Sequence, residues 1–204
     1  EFRRVLFRSD MIELDIQITK DKKIIIFHDT YIKKGNNFYF IINLTYKEIK
    51  LIDNDIPLLI DLFNLLFNIN KTNFPLYLDV KGSKEIVPYL ISEIDNIKEK
   101  LNLENIYIGS FNLLIIKLLY NLNKNLNYGI ISETMFTSDI SKKFIDEYNI
   151  KFFSFHWSVL EHNEINYLKE NNILVFSYTN KFDIILKKML EYKLDGIVTN
   201  YKIN

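Results

Sequence analysis

Two carboxylate residues near the start of the chain, Glu13 and Asp15, stand two positions apart in the run MIELDIQIT (Met11–Thr19). This run alternates apolar and polar residues, which predicts a β-strand with both carboxylates on one face. Two carboxylates that share a site repel each other unless a proton or a cation lies between them. Such an oxygen-only site suits a hard divalent cation, Mg²⁺ or Ca²⁺. The spacing alone fits equally well an edge strand with a solvent-exposed face.

Further candidate groups follow other predicted strands. Asp79 lies near the end of the apolar run LYLDV and could supply a third oxygen ligand. Lys81, two positions later, shares the face of Asp79 and could meet a phosphate. His28 ends the short apolar run IIIF, and His156 follows another predicted strand. A single lysine or histidine at such a position is more often a surface or core residue, so these groups carry meaning only in combination.

The elements that must position these groups are short strands alternating with amphipathic helices, in units of about 25 residues. We predict seven principal strands: Met11–Thr19, Leu76–Val80, Ile106–Ile108, Tyr128–Ile131, Phe152–Phe155, Ile173–Phe176 and Gly196–Val198, with Ile24–Phe27 extending the first. This alternation predicts an α/β fold with a parallel sheet. No GxGxxG or Walker pattern is present, and the polar residues stand at the carboxyl ends of the strands, which favours a (β/α)8 TIM barrel.

Composition narrows the classes of protein further. The chain has 204 residues, which suits one domain but is short for a (β/α)8 barrel of about 250 residues. The 26 basic residues balance the 26 acidic ones, which disfavours a nucleic-acid partner. The absence of cysteine excludes thiolate metal sites, and no apolar run reaches the ~18 residues of a membrane helix. With no signal peptide visible, we expect a cytoplasmic protein.

The first nine residues differ in usage from the rest of the chain. The only arginines are Arg3, Arg4 and Arg8, whereas every later basic side chain apart from histidine is lysine. We therefore predict that residues 1–9 are a non-native segment and that residues 10–204 form the barrel domain.

The motifs resemble those of the glycerophosphodiester phosphodiesterase family. The run Glu13–Asp21 (ELDIQITKD) followed by Ile25–Asp29 (IIFHD) is similar to the family pattern E-x-D-V-x-x-T-x-D-G and H-D, with Lys22 in place of the glycine. Later segments keep the order of the family motifs: Ile56–Leu59, Leu78–Lys81, Gly109–Asn112, Ser177–Thr179 and Asp195–Asn200. The resemblance implies a TIM-barrel enzyme that cleaves glycerophosphodiesters, a small-molecule substrate, to glycerol 3-phosphate and an alcohol. It also implies a Mg²⁺ or Ca²⁺ site formed by Glu13, Asp15 and Asp79.

The same resemblance assigns roles to three other residues. His28 corresponds to a catalytic general acid/base, and Lys81 supplies a cation at the phosphate. Tyr178 stands where the family has a tryptophan and is expected to line the mouth of the barrel. The family's opening H-R-G and P-E-N-T motifs have no counterpart, and Asn200 replaces a terminal aspartate. We therefore predict that the barrel lacks its first strand and helix, and that loss of the first catalytic histidine lowers or abolishes activity.

Two alternatives remain open at the level of sequence. One is a sphingomyelinase D-like or lysolipid phosphodiesterase, which shares the barrel and an E-x-D motif. The H-D-T run and the D-G-I-V-T ending favour the glycerophosphodiester type over it. The other is a non-catalytic barrel fragment, which would have no reason to bind a divalent cation at the three carboxylates.

Overall fold

The computed structural model of the chain describes residues 9–180 and 182–199. Its strands are β1 (Ile12–Ile18), β2 (Ile24–Ile26), β3 (Tyr31–Lys34), β4 (Asn37–Phe40), β5 (Leu76–Val80), β6 (Ile106–Ser110), β7 (Asn127–Ser132), β8 (Phe152–His156), β9 (Leu174–Asn180) and β10 (Gly196–Thr199). Its α-helices are α1 (Tyr46–Ile52), α2 (Leu59–Asn68), α3 (Ile86–Ile97), α4 (Leu113–Leu122), α5 (Ser138–Tyr148), α6 (His162–Glu170) and α7 (Asp183–Glu191).

One sheet organises the molecule, with strand order β10-β9-β8-β7-β6-β5-β1-β2. Neighbours from β10 to β1 pair in parallel, and β2 pairs antiparallel with β1. Helices α3 to α7 connect successive parallel strands, as right-handed βα units require. The predicted set of seven parallel strands is confirmed, whereas the Ile24 strand does not extend the first strand but pairs antiparallel with it at the end of the sheet.

Alternate residues of each parallel strand face the helices or the inside of the sheet. On β5, Leu76, Leu78 and Val80 pack in the main apolar core together with helix residues. Tyr77 belongs instead to a second cluster, and Asp79 follows it on the same face. The strand is buried along its whole length, so both of its faces are covered.

The second cluster shows that the sheet curls. Tyr77 on β5 and Phe176 on β9 have ring centroids 5.8 Å apart, although three strands lie between β5 and β9. In a flat sheet those two strands would be roughly 19 Å apart, given a spacing of about 4.8 Å. Phe152 of β8 lies 5.2 Å from each of these rings. The parallel strands therefore bend around an aromatic interior, which confirms the α/β barrel architecture.

Glycines make room for this interior. A Cβ atom added to Gly129 on β7 would come within 2.3 Å of the Phe152 ring. A Cβ atom on Gly109 of β6 would come within 2.9 Å of the Tyr77 ring. The neighbouring aromatic side chains occupy the space that a side chain at either position would need.

A small second core supports the segment between β2 and α1. Strands β3 and β4 form a hairpin that the sequence analysis did not predict. Its two-residue turn contains Gly35 at φ 63, a backbone conformation that glycine adopts readily. The apolar residues of this core are Ile25, Ile32, Ile41, Ile49 and Ile56. The core holds the loop between β2 and β3, which carries His28, against the edge of the sheet.

Helix starts follow local hydrogen bonding. Thr45 caps α1, and its side chain and backbone exchange hydrogen bonds with Glu48, as in a capping box. The run Asp55-Ile56-Pro57 predicts that the next helix begins at Pro57, but α2 begins at Leu59. The Ile26 N–H donates to the Pro57 carbonyl and Leu58 bridges Ile25, so this segment is extended alongside β2.

The strands at the two ends of the sheet, β10 and β2, each have one strand neighbour within the described residues, and β10 does not pair with β1 there. The predicted non-native segment falls on residues 1–8, which lie outside the described part, and on Ser9. Asn200 also lies outside it. Across residues 9–180 and 182–199, no helix combines the length and apolar character needed to cross a bilayer.

The aromatic interior generates a first prediction. Gly129→Ala should lower the free energy of unfolding by about 1–3 kcal/mol, the usual cost of overpacking a core, because the new methyl group overlaps the Phe152 ring. Urea denaturation followed by circular dichroism measures the change. The double variant Gly129→Ala/Phe152→Leu should be less than additive, since the smaller side chain frees the space. Strict additivity would contradict the packing described.

Candidate active site

Three carboxylates converge on the inner face of two neighbouring strands. Asp15 of β1 and Asp79 of β5 are direct partners in the parallel ladder, and Glu13 precedes Asp15 by two residues on the same face. One ligand oxygen from each of the three lies within 4.8 Å of the others. Asp79 is only 5% exposed, whereas Glu13 and Asp15 are partly exposed. The predicted convergence is therefore present, and the solvent-facing alternative for Glu13 and Asp15 does not apply.

Lys81 completes this group, just beyond the end of β5. Its backbone N–H donates to the Ile16 carbonyl, which continues the pairing of β5 with β1 and keeps Lys81 on the inner face. The Lys81 Nζ lies 2.5 Å from Asp79 Oδ2 and 3.1 Å from Asp15 Oδ1. The lysine is thus shared between two of the three carboxylates.

The electrostatics of the group follow from burial and crowding. Burial, together with the charges of Asp15 and Asp79, raises the pKa of Glu13 to about 8, against the opposing effect of Lys81. Burial raises the pKa of Asp79 to about 6, although the adjacent Lys81 ammonium opposes the shift. Burial acts to lower the pKa of Lys81, but the charges of Asp79 and Asp15 outweigh it and the pKa is raised. Lys81 therefore stays charged, while Glu13 and Asp79 resist ionisation.

The group fits a divalent cation. Three ionised carboxylates and one lysine sum to a formal charge of −2, which one divalent ion would neutralise. Asp79 Oδ1 is buried and has no hydrogen-bond partner within the described residues, so it is available as a ligand. Carboxylate oxygens are the donors that hard divalent cations prefer. The geometry supports a divalent metal in general and does not distinguish Mg²⁺ from Ca²⁺.

His28 lies apart from the carboxylates, on the loop after β2. Its side chain is 74% exposed, and its Nδ1 lies 2.7 Å from Asp29 Oδ1. His28 is still close enough to Asp79 for a positive charge on its ring to lower the pKa of Asp79, as the smallest of the effects there. The structure therefore places His28 at the rim of the carboxylate group and outside its direct contacts.

Gln17 fixes the loop that carries His28, and sequence reasoning did not single it out. Its Nε2 lies 2.7 Å from the Phe27 carbonyl, 3.2 Å from that of His28 and 2.7 Å from that of Asp29. Gln17 is only 4% exposed. The sequence does indicate that Gln17 lies on the same face as Glu13 and Asp15, because it continues their two-residue period.

Aromatic side chains form the opposite wall of the mouth. The Lys81 Nζ lies 5.1 Å from the Phe111 ring centroid, and that ring lies edge-on to Tyr178 at 5.7 Å. Tyr178 in turn lies 5.7 Å from His156. Tyr178 therefore lies beside Phe111 and His156 at this end of the sheet. The sequence analysis includes Phe111 in the motif Gly109–Asn112 but assigns no role to its side chain.

Comparison with known proteins gives a consistent result. The model of the glycerophosphoryl diester phosphodiesterase family matches residues 7–203. A glycerophosphodiester phosphodiesterase from Caldanaerobacter subterraneus subsp. tengcongensis is 24% identical over 214 residues, covering 98% of this chain and 86% of the relative.

Solved structures share the fold. A glycerophosphodiester phosphodiesterase from Parabacteroides distasonis superimposes with a TM-score of 0.80 at 16% identity, covering 98% of this chain and 84% of that one. An Oleispira antarctica phosphodiesterase, solved in complex with the product sn-glycerol-3-phosphate, gives a TM-score of 0.78 at 17% identity, with coverages of 95% and 82%. Since the family match extends over nearly the whole chain, this protein belongs to the glycerophosphoryl diester phosphodiesterase family and is a phosphoric diester hydrolase.

Proposed function

We propose that the chain hydrolyses glycerophosphodiesters to glycerol 3-phosphate and an alcohol, with the reaction at the mouth of the curled sheet. The observation that carries the proposal is the convergence of Glu13, Asp15, Asp79 and Lys81 at the carboxyl ends of β1 and β5. In barrels of this type, chemistry takes place at that end of the strands. The product found in the Oleispira antarctica relative supports the same substrate class.

Glu13, Asp15 and Asp79 would hold the divalent cation, which we propose to be Mg²⁺ or Ca²⁺. When bound, such an ion neutralises negative charge on a phosphoryl oxygen during the reaction. The bound cation would replace Lys81 as the counterion of the carboxylates. The Lys81 ammonium group would then interact with the phosphate of the substrate. The close approach of Lys81 Nζ to two carboxylates supports this exchange.

His28 would transfer the proton that the leaving alcohol requires. Hydrolysis breaks the bond between phosphorus and the alcohol oxygen, while water supplies the new oxygen on phosphorus and gives up one proton, so that the leaving alkoxide can take up one proton. The contact between His28 Nδ1 and Asp29 leaves Nε2 to exchange that proton. Gln17 would keep the ring in place by holding the carbonyls around it. Tyr178 would line the substrate path.

Activity is the direct test. Glycerophosphoglycerol incubated with the protein and Mg²⁺ or Ca²⁺ should release glycerol 3-phosphate, measured by a coupled dehydrogenase assay, and a chelator should stop the release. His28→Ala should lower kcat by about 10²–10⁴-fold, as expected for a lost proton-transfer group. His162→Ala is the matched control, since His162 stacks on Tyr192 at the start of α6. Equal loss in both variants, or chelator-resistant release, would count against the assignment.

The crowded carboxylates generate a stability prediction for the metal-free protein. The pKa of Glu13 is about 8 in the folded state against an ordinary value of 4.5. Because the folded pKa is raised, the contribution of Glu13 to stability is fully present below pH 4.5 and is lost as the pH rises through 8. Glutamine keeps the neutral form at every pH. Glu13→Gln should therefore become more stable than the parent as the pH rises to 8.5, by on the order of a few kcal/mol, measured by thermal unfolding.

Saturating Mg²⁺ or Ca²⁺ should reverse this ranking, because a ligand that binds only the folded parent stabilises it by mass action. Glu99→Gln, at an exposed position after α3, is the control and should follow the parent under all conditions. A Glu13→Gln variant that the cation stabilises as strongly as the parent would overturn the proposed ligand set.

A further inference from the structure

The hairpin formed by β3 and β4 has apolar residues on both of its faces. Ile32 and its partner Tyr39 face inward and pack in the second core. Alternation puts two neighbouring pairs on the outer face: Tyr31 with Phe40, and Lys33 with Phe38. An antiparallel pair of strands with one covered face normally carries polar residues on the other. Phe38 and Phe40 are each 52% exposed, so the outer face departs from this pattern.

The aromatic side chains of the outer face form one patch. The Tyr31 ring centroid lies 5.1 Å from that of Phe38 and 6.2 Å from that of Phe40, with the rings edge-on in both cases. Ile42, directly after β4, is a further exposed apolar side chain. Contiguous exposed apolar side chains mark an interaction surface more often than scattered ones do.

The segment that carries this patch is basic, although the chain as a whole has no net charge. Residues 31–52, from β3 to the end of α1, contain one acidic residue, Glu48, and four lysines: Lys33, Lys34, Lys47 and Lys50. The Lys33 Nζ lies 5.6 Å from the Phe38 ring centroid, so positive charge lies directly on the aromatic patch. The patch is therefore complementary to a partner that is apolar beneath a negatively charged surface.

Size and composition favour a lipid surface over a protein partner. A fully buried aromatic side chain covers about 150–250 Å², so two half-exposed phenylalanines leave roughly 200 Å² to be covered. A stable protein interface covers about 800 Å² on each partner, and its buried centre is depleted in lysine. Aromatic rings are favoured at the interface of a bilayer, and lysines close to anionic headgroups strengthen binding there.

We propose that the outer face of the β3–β4 hairpin docks on the surface of a bilayer that contains anionic lipids. Phe38 and Phe40 insert among the headgroups, while the Lys33 ammonium group stays at the level of the lipid phosphates. The Ile41 N–H donates to the Thr30 carbonyl, which ties the hairpin to the loop that carries His28. Docking therefore holds that loop close to the bilayer. This surface does not depend on the hydrolysis proposed above.

Co-sedimentation with vesicles measures docking without turnover. The chain should bind vesicles of equal parts phosphatidylglycerol and phosphatidylcholine at least roughly ten-fold more tightly than vesicles of phosphatidylcholine alone. Phe38→Ser/Phe40→Ser should lower the partition coefficient for the mixed vesicles by roughly ten-fold or more. Phe67→Ser is the matched control and should bind like the parent, since Phe67 is 44% exposed and also lies beside a lysine, Lys100, at the end of α2.

A second variant tests the charge and keeps the aromatic patch intact, so it decides the matter if the serine variant does not fold. Lys33→Gln/Lys47→Gln should weaken binding to the mixed vesicles roughly ten-fold. Lys117→Gln/Lys143→Gln removes the same charge from exposed positions on α4 and α5 and should have little effect.

Three results would overturn the proposal: no binding of the parent to the mixed vesicles, unchanged binding in both hairpin variants, or equal loss in the hairpin variants and their controls. A dimer in sedimentation velocity that Phe38→Ser/Phe40→Ser abolishes, without vesicle binding by the parent, would show that a second copy of the chain covers the hairpin instead. Vesicle binding by a chain that hydrolyses no glycerophosphodiester would overturn the proposed function and leave the docking surface intact.

Discussion

Mutual repulsion among Glu13, Asp15 and Asp79 is the interaction that the rest of the structure must oppose. Their ligand oxygens lie within 4.8 Å of one another, and Lys81 contacts two of the three carboxylates. Burial, together with like charges at this distance, disfavours the ionised form, which the raised pKa of Glu13 reflects. The convergence persists because the backbone pairing of β1 with β5 fixes the positions from which the side chains start. The site is therefore held by elements that do not themselves carry charge.

Strands β1 and β5 are held in place by side-chain packing on both faces of the sheet. Outward-facing residues such as Ile16, Leu78 and Val80 are almost fully buried against the helices, and their burial supplies the favourable free energy. Inward-facing Tyr77 and Phe152 fill the interior beside the carboxylates with close-packed rings. A tightly packed interior resists relaxation, so the carboxylates cannot separate without disturbing several strands at once. Electrostatic strain at the mouth and apolar packing below it are thus parts of one arrangement.

Much of this arrangement follows from period and spacing. Alternation along MIELDIQIT and LYLDV was sufficient to place Glu13, Asp15, Asp79 and Lys81 on one face, because two-residue periodicity is a local property of any strand. The pairing of β1 with β5 was implied by the βα order. The first and last residues of a helix or strand were harder to predict from the sequence where they depend on tertiary contacts. Pro57 does not begin a helix because its carbonyl accepts a hydrogen bond from Ile26, a partner that the sequence does not specify.

Features formed by residues distant in sequence were the hardest to predict. The position of His28 depends on Gln17, whose amide reaches three carbonyls about ten residues away. The two-residue period places Gln17 on the inner face of β1, but it does not specify those contacts. The β3–β4 hairpin was missed although Gly35-Asn36 is a recognisable two-residue turn. Its flanking strands are only four residues long, so their periodicity is weak.

The carboxylates with Lys81 and the neighbouring aromatic side chains form two parts of the mouth of the sheet, with different chemistry. Under the proposed function, a cation held by the carboxylates would act together with Lys81 on a phosphate that is common to every glycerophosphodiester, so this part of the site would not select among alcohols. Selection would then come from side chains that the variable substituent reaches, and Phe111 and Tyr178 lie next to the lysine at this end of the sheet. Contacts made equally in the ground state and the transition state change KM and leave kcat as it is. Under the proposed function, a chain with the same carboxylates but other residues at Phe111 and Tyr178 would therefore keep the reaction and differ in the alcohol it releases.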